Sequence, residues 1–158
     1  MSWFSNLFGV SGSSNTPVAP VSNPLVPQPF HEQAQEQLDA LAVFIKQVSS
    51  EISPAVYSRL RSIDDVIRPM LKHIIDNPLT AENEYAVKAL LTDYITTPIN
   101  IFLKLNEAEK IDGGRSDLLL LEQYDTLEKS ARELNAQIYG DTVSSLETHN
   151  IFIQNKFS

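Results

Sequence analysis

The sequence has no cysteine among its 158 residues. This absence excludes disulfides, thiolate metal ligands, iron–sulfur clusters and cysteine nucleophiles. Positive charge is also scarce, because 12 lysines and arginines stand against 20 aspartates and glutamates, which gives a formal net charge of −8. Binding to a phosphate backbone requires clustered positive charge, so nucleic acid is not an expected partner.

Long hydrophobic runs are missing as well. No apolar stretch of the sequence approaches the roughly 20 residues that span a bilayer. The N-terminus has neither the basic region nor the continuous apolar region of a secretory signal. We therefore expect a cytoplasmic protein, with the surface of the inner membrane as an alternative location.

Charged residues are absent from residues 1–30, where five of the nine prolines occur. Proline fixes φ and lacks an N–H group, so such a stretch cannot join a helix or a sheet. We predict that residues 1–30 form a disordered tail with a proline- and serine-rich tether. Residues 1–9 carry an apolar motif whose large side chains share one side of a short helix. These side chains are Trp3, Phe4, Leu7 and Phe8.

So short a helix is not stable alone in water, and we expect the motif to bind a surface. The surface could be a groove in a partner protein, a membrane, or a groove in the domain that follows. The motif lacks the Lys and Arg residues that anionic lipids attract, which favours a protein partner.

Helical periodicity continues through residues 31–158, which we predict to form one domain. A first helix is predicted from Glu32 to Ser50. A second begins with Ser53 and Pro54 as cap and first residue, and a third begins with Thr80 as cap. The Thr96-Thr97-Pro98 step should kink or restart the third helix. No segment shows sustained period-2 alternation, so the predicted fold is all-α: an antiparallel bundle of three to four long helices.

A long fourth helix is predicted after the Asp112-Gly113-Gly114 turn, with Ser116 as its cap. Its apolar residues follow a seven-residue repeat, which indicates either a core face or a self-association seam. The core interpretation is favoured because a bundle must bury such a face. Gly140-Asp141 should break the helix, and a last helix should follow. The repeat comprises Leu120, Tyr124, Leu127, Ala131, Leu134 and Ile138, and the last helix carries Val143, Leu146, Phe152 and Ile153.

The sequence contains no recognisable catalytic or metal-binding motif. The three histidines do not follow a zinc or di-iron spacing, and phosphate-binding loops and activated serines are absent. We expect no cofactor, no metal and no catalytic residues. Arg61, Arg68 and Lys72 form a basic stripe on the second helix that could receive an anion or an acidic partner. Neighbouring Asp64 and Asp65 should neutralise much of its charge.

One stretch carries a family resemblance. Residues 90–99, Leu-Leu-Thr-Asp-Tyr-Ile-Thr-Thr-Pro-Ile, lead into the leucine-rich residues 100–105. Together with the later helical pattern, this stretch resembles the bacterial XpaC family, named for bromochloroindolyl phosphate hydrolysis, over about residues 56–157. The resemblance implies a helical protein associated with toxic-anion (tellurite) resistance proteins of the TelA type. It implies no catalytic residue at any position of this chain.

We therefore expect a non-enzymatic helical adaptor that docks a protein partner through its N-terminal motif. The resemblance implies an accessory role in toxic-anion resistance or envelope stress. Three alternatives remain open, and oligomers are compatible with each. They are a phosphohydrolase that depends on Asp93 or His73, a membrane-peripheral protein, and a structural subunit of a larger assembly.

Overall fold

The computed structural model of the protein describes residues 26–157, and this range consists of helices joined by short turns without any strand. The all-α prediction is therefore confirmed. The predicted N-terminal motif, residues 1–9, lies outside the described residues. The elements are α1 Phe30–Val48, α2 Pro54–Asp76, α3 Ala81–Ala89, a π-helical turn Leu90–Tyr94, α4 Thr96–Leu103 and α5 Arg115–Phe157.

Two helix starts agree with the capping signals in the sequence. The Ser53 hydroxyl accepts a hydrogen bond from the Val56 N–H at 3.3 Å, and Pro54 is the first residue of α2. The Thr80 hydroxyl accepts from the Asn83 N–H at 3.2 Å, directly before α3. Each hydroxyl satisfies an N–H group that has no partner within its own helix.

The predicted restart at the Thr96-Thr97-Pro98 step is confirmed, because α4 begins at Thr96, and the irregular backbone extends one turn earlier. Pro98 has no N–H to donate to the Tyr94 carbonyl, and this missing bond favours an irregular backbone before it. The structure places a π-helical turn at Leu90–Tyr94, and α4 restarts after Ile95. The Ile95 carbonyl accepts a hydrogen bond from the buried Tyr124 hydroxyl of α5 at 2.5 Å. The residue that directly follows the π-helical turn is therefore held against α5.

The most extensive helix contact joins α2 and α5, which run in the same direction. Arg59, near the start of α2, forms ion pairs with Asp125 and Glu128 of α5. His73, near the end of α2, contacts Thr142 farther along α5. Residue numbers therefore rise together along the two helices. The parallel orientation brings the C-terminal end of α2 against the second half of α5.

The α3–α4 member runs antiparallel to α5. Asn83 at the start of α3 contacts Asp141, whereas Ile95 contacts Tyr124 about one-fifth of the way along α5. Helical members that follow one another along the chain alternate in direction, as an antiparallel bundle requires. The turn between α2 and α3 therefore lies against the middle of α5.

The seven-residue repeat of α5 lines the core. Tyr124 and Ala131 are completely buried, and Leu120 and Ile138 are nearly so. Leu127 and Leu134 are partly buried and pack against the same cluster. The core interpretation of the repeat is therefore confirmed within the described residues.

The predicted break at Gly140-Asp141 is wrong, because α5 is one helix of 43 residues. Gly140 does not adopt the left-handed φ with which glycine ends a helix. A glycine in a helix interior costs about 1 kcal/mol relative to alanine. Hydrogen bonds of the next two residues to α2 and α3 offset this cost, since Asp141 accepts from Asn83 and Thr142 contacts His73.

The start of α5 also differs from the prediction. The helix begins at Arg115, so Ser116 lies inside the first turn and is not its cap. Gly113 makes the preceding turn with a φ of +75°, and its N–H donates to the Asp117 carboxylate at 2.8 Å. An acidic side chain in the first turn is favoured there by the exposed N–H groups of the helix.

Candidate functional site

The C-terminal part of α5 extends beyond the packed bundle. Helices rise 1.5 Å per residue, so α5 is about 64 Å long and α2 about 35 Å. Both helices run in the same direction, and α2 ends beside Thr142. Every side chain from Val143 to Phe157 is exposed. We call residues 143–157 the α5 arm.

One stripe of the arm is apolar and regularly spaced. Its residues, which we call the arm seam, follow each other at intervals of 4, 3, 4, 3 and 4. Leu146 is 69 % exposed and Phe157 is 78 % exposed, so other parts of residues 26–157 leave these two side chains largely uncovered. Large apolar side chains exposed together mark interaction surfaces in soluble proteins. The arm seam comprises Tyr139, just before the arm, and Val143, Leu146, Asn150, Ile153 and Phe157 within it, and all of these but Asn150 are apolar.

The arm seam is not a continuation of the core stripe. Val143 follows the buried Ile138 by five residues, which places it about 140° farther around the helix axis. By the same measure the six seam residues lie about 60–140° around the axis from Ile138, so the seam occupies a side of α5 next to its core face. The 4–3 spacing was visible in the sequence, but the predicted break at Gly140 divided it between two helices.

Other apolar side chains of the arm lie outside the seam. Phe152 has the His149 ring stacked at 6.3 Å between centroids, and the Lys156 ammonium lies 5.6 Å from its ring centroid. Ile151 is exposed beside it. These contacts stay within one helix and partly cover Phe152, and the Lys156 ammonium also lies 6.0 Å from the ring centroid of the seam residue Phe157.

A buried polar cluster fixes the base of the arm. The Asn83 amide donates to the Asp141 carboxylate at 3.0 Å, and its carbonyl oxygen accepts from Gln137 at 3.2 Å. Asn83 is buried, and each of these bonds joins α3 to α5. A buried amide with both ends satisfied holds its helices in one arrangement. The direction in which the arm leaves the bundle is therefore set by side-chain hydrogen bonds.

A second set of contacts joins the base to α2. His73 Nε2 lies 3.0 Å from the Thr142 hydroxyl, and its ring packs on Tyr139 with centroids 4.1 Å apart. The Thr142 hydroxyl donates to the Ile138 carbonyl at 3.2 Å. Because a hydroxyl has one proton, its oxygen accepts from the Nε2–H of His73. With the Thr142 proton directed to Ile138, this contact requires the tautomer of His73 that carries a proton on Nε2.

The phosphohydrolase alternative named Asp93 and His73, and the structure places them on different elements. Asp93 is exposed on the π-helical turn, whereas His73 packs on α5 near the end of α2. Within residues 26–157, no hydrogen bond joins these two side chains, and no three His, Asp or Glu side chains lie close enough to hold a metal ion. The geometry offers no reacting centre built from this pair.

Arg68, the middle residue of the predicted basic stripe, is paired with a carboxylate of its own helix. Arg68 donates two hydrogen bonds to the Asp64 carboxylate, at 3.2 and 2.8 Å, and these bonds raise the pKa of Arg68. Arg61 and Lys72 are exposed on the same helix. A bidentate pair leaves the guanidinium few donors for another anion. Anion binding by this stripe stays a prediction.

An apolar groove lies between α3 and α5. The small side chains Ala86 and Ala89 form a depression of about 430 Å³, with exposed Tyr85 and Tyr94 among its lining residues. Phe30 lines a neighbouring cavity that shares Tyr85. We call this depression the α3–α5 groove. It lies close to the point where the described chain begins.

Comparison with known proteins adds no relative: no family model, no curated protein and no solved structure matches the chain. None of the helices between residues 26 and 157 combines the length and the apolar character needed to cross a membrane.

Proposed function

We propose that the protein is a non-enzymatic helical adaptor that binds a partner helix along the arm seam. The observation that carries this proposal is the exposure of five large apolar side chains along one side of α5, four of them on the arm. From Tyr139 to Phe157 the seam is about 27 Å long. A solvated helix has no need for such a stripe, whereas a helix that packs against another protein does.

The chemistry of the seam favours a helical partner. Apolar residues at alternating intervals of 3 and 4 form a narrow stripe that fits the holes on a facing helix. The arm is anchored at its base by the Asn83 cluster, so its helical form is already established before binding. Preorganisation of this kind reduces the entropy lost on association.

The N-terminal motif supplies a second binding element in this proposal. Trp3, Phe4, Leu7 and Phe8 would bind a separate protein groove, and a flexible tether of about 20 residues has a span of roughly 25 Å. An adaptor needs two such elements on one chain. The resemblance to the XpaC family supports an accessory role in toxic-anion resistance as the setting for this adaptor.

The experiment is affinity purification from cells that produce the protein naturally. The bait is the full chain, compared with a Leu146→Glu/Ile153→Glu variant and with a chain that lacks residues 1–30. A Thr148→Glu/Asn155→Glu variant is the matched control, because it adds the same charge at the same spacing on the opposite side of the arm. Loss of bound protein in the seam variant alone supports the arm as the binding element.

Separate sets of proteins lost with the seam variant and with the truncation would support an adaptor with two binding elements. If the bound proteins are the same for the full chain, the seam variant and the control, the arm does not bind a partner. If the truncation alone changes them, binding belongs to the N-terminal motif. Increased binding after removal of residues 1–30 would indicate that the motif occupies the α3–α5 groove of its own chain.

A further inference from the structure

We propose that the helix received by the arm seam is the same seam of a second copy of this chain, with the two arms parallel and in register. This inference rests on the proposed function and names the occupant of the arm. It would make the protein a dimer joined at its C-terminal helices, with one bundle on each side.

Asn150 identifies the occupant. In heptad terms, Val143, Asn150 and Phe157 occupy a positions, whereas Tyr139, Leu146 and Ile153 occupy d positions. An amide at an a position would face apolar side chains in most helix pairings, where it would lose its hydrogen bonds to water. In a parallel pair of identical helices in register, Asn150 meets Asn150 of the second copy and the two amides bond each other. A single such Asn is known to specify register and oligomeric state in coiled coils.

The two seam layers that precede Asn150 agree with a two-stranded parallel pair. Val143 places a β-branched residue at an a position, and Leu146 places leucine at the following d position. This combination favours two parallel strands over higher oligomers. The first complete heptad of the arm therefore points to the same arrangement as Asn150.

Charge in the arm also permits self-association. The whole chain has a net charge of −8, yet within residues 143–157 the only formal charges are Glu147 and Lys156, which cancel. In the parallel pairing, Glu147 faces Thr142 of the second copy, and His149 faces Gln154 of the second copy. In a fully overlapped antiparallel pairing, Glu147 would face Glu147 of the second copy. Like charges in facing positions are destabilising, so the parallel pairing is favoured.

The bundle leaves room for the second copy. The seam is centred about 100° around the helix axis from the core stripe, so the second arm would pack on a side of α5 next to the core face and not on that face. Tyr139, packed on His73, lies at the bundle end of the seam. One heptad before Tyr139, the corresponding position holds Arg132, which is paired with Glu128 at 2.8 Å. The apolar seam therefore ends where the bundle begins.

The area is that of a small specific interface. Burial of one large apolar side chain removes roughly 60–120 Å² from water. The five apolar seam residues of two copies would then bury roughly 600–1,200 Å² in total, close to the ~1,000 Å² of a specific interface. Such an interface predicts a dimer that dissociates on dilution. Two N-terminal motifs on one dimer could bind a partner that has two sites with greatly increased avidity.

The first test measures the mass of the full chain by sedimentation equilibrium over a range of concentrations. We expect the 17.7 kDa monomer to give way to a species of twice that mass as concentration rises. The Leu146→Glu/Ile153→Glu variant should remain monomeric, and Thr148→Glu/Asn155→Glu should dimerise like the wild type. Circular dichroism of each variant checks that the bundle is folded.

The second test reports the relative orientation of the two arms. Because the sequence has no native cysteine, every disulfide formed must join introduced cysteines. Under mild oxidation, Asn150→Cys should form a covalent dimer, because parallel arms bring the two substituted positions together. Thr148→Cys, on the opposite side of the arm, should not. The Asn150→Cys variant keeps the other seam residues, so its result does not depend on whether the glutamate variants fold.

Three outcomes would overturn the inference. They are a monomer at every concentration up to roughly 100 µM, a dimer that persists in the seam variant, or a dimer that Asn150→Cys does not cross-link. A monomer whose seam still binds another protein in the affinity experiment would refute the second copy and leave the adaptor function in place. If the seam variant changes neither mass nor bound proteins, both proposals fail.

Discussion

Gly140 lies in the middle of the helix that carries both the core stripe and the arm, so replacing it by alanine tests whether that helix is continuous. The residue has no left-handed φ, and a Cβ atom at this position would meet no heavy atom within 4 Å. Alanine therefore fits the structure without strain. Its effect should come from backbone entropy alone.

The expected magnitude follows from helix propensity and from the position of Gly140. Alanine is favoured over glycine by about 1 kcal/mol in a helix interior. Gly140 is flanked by the buried Ile138 and by Asp141, which is hydrogen-bonded to Asn83. The backbone at Gly140 should therefore unfold together with the bundle, and Gly140→Ala should raise the free energy of unfolding by about 1 kcal/mol. The melting temperature should rise by roughly 2–6 °C.

Urea unfolding followed by circular dichroism measures this difference, and Gly113→Ala is the matched control. Gly113 also has open space around its missing Cβ, but its φ is +75°. A left-handed conformation costs a non-glycine residue about 1–2 kcal/mol, so Gly113→Ala should destabilise the protein. The same chemical change should thus have opposite signs at the two positions.

A loss of stability or of helix content in Gly140→Ala would refute the reasoning. It would mean that the chain turns at residue 140, as the Gly-Asp pair first suggested. The arm would then not be a rigid extension of α5, and both the adaptor and the dimer would lose their structural basis. A gain of stability confined to Gly140→Ala supports the continuous helix.

Two further predictions concern buried polar groups. Burial raises the pKa of Tyr124 above its ordinary value of 10.0, so the unfolded chain releases this proton first, and stability should fall above about pH 10, by up to about 1.4 kcal/mol per pH unit. Urea unfolding as a function of pH should show this loss in the wild type, and Tyr124→Phe should flatten it; equal slopes would contradict the prediction. Asn83→Ala removes the bonds to Gln137 and Asp141 and should cost about 1–3 kcal/mol, whereas the control Asn100→Ala, at an exposed helix position, should stay within about 0.5 kcal/mol of wild type. Equal effects of the two substitutions would show that the Asn83 cluster does not hold the bundle together.

Local chemistry allowed most of the helices to be predicted. Ser53 and Thr80 cap their helices because each hydroxyl accepts a hydrogen bond from the N–H group three residues later. The donor and the acceptor of each bond are therefore close together in the sequence. The apolar repeat from Leu120 to Ile138 marks the core because a helix of a bundle buries one face. Such features depend on sequence spacing, so a reader of the sequence can find them.

The break at Gly140-Asp141 could not be judged in this way. A glycine followed by an aspartate weakens a helix locally, and the compensating bonds come from Asn83 and His73, which are far away in the sequence. The same holds for the π-helical turn, whose neighbour Ile95 bonds Tyr124 across the bundle. Long-range contacts outweigh a local preference of about 1 kcal/mol, and they exist only once the helices have packed.

The arm seam shows most directly which features follow from local sequence and which follow from helix packing. The sequence by itself determined its spacing, because Val143, Leu146 and Ile153 follow the same intervals of 3 and 4 that mark the core stripe. Spacing alone does not say which stripe is covered. That was decided by tertiary structure: α2 ends beside Thr142 while α5 continues to Phe157, so within residues 26–157 the core stripe has helices to pack against and the arm has none. An apolar face becomes core or interface according to what lies opposite it, and this depends on the relative lengths and directions of packed helices.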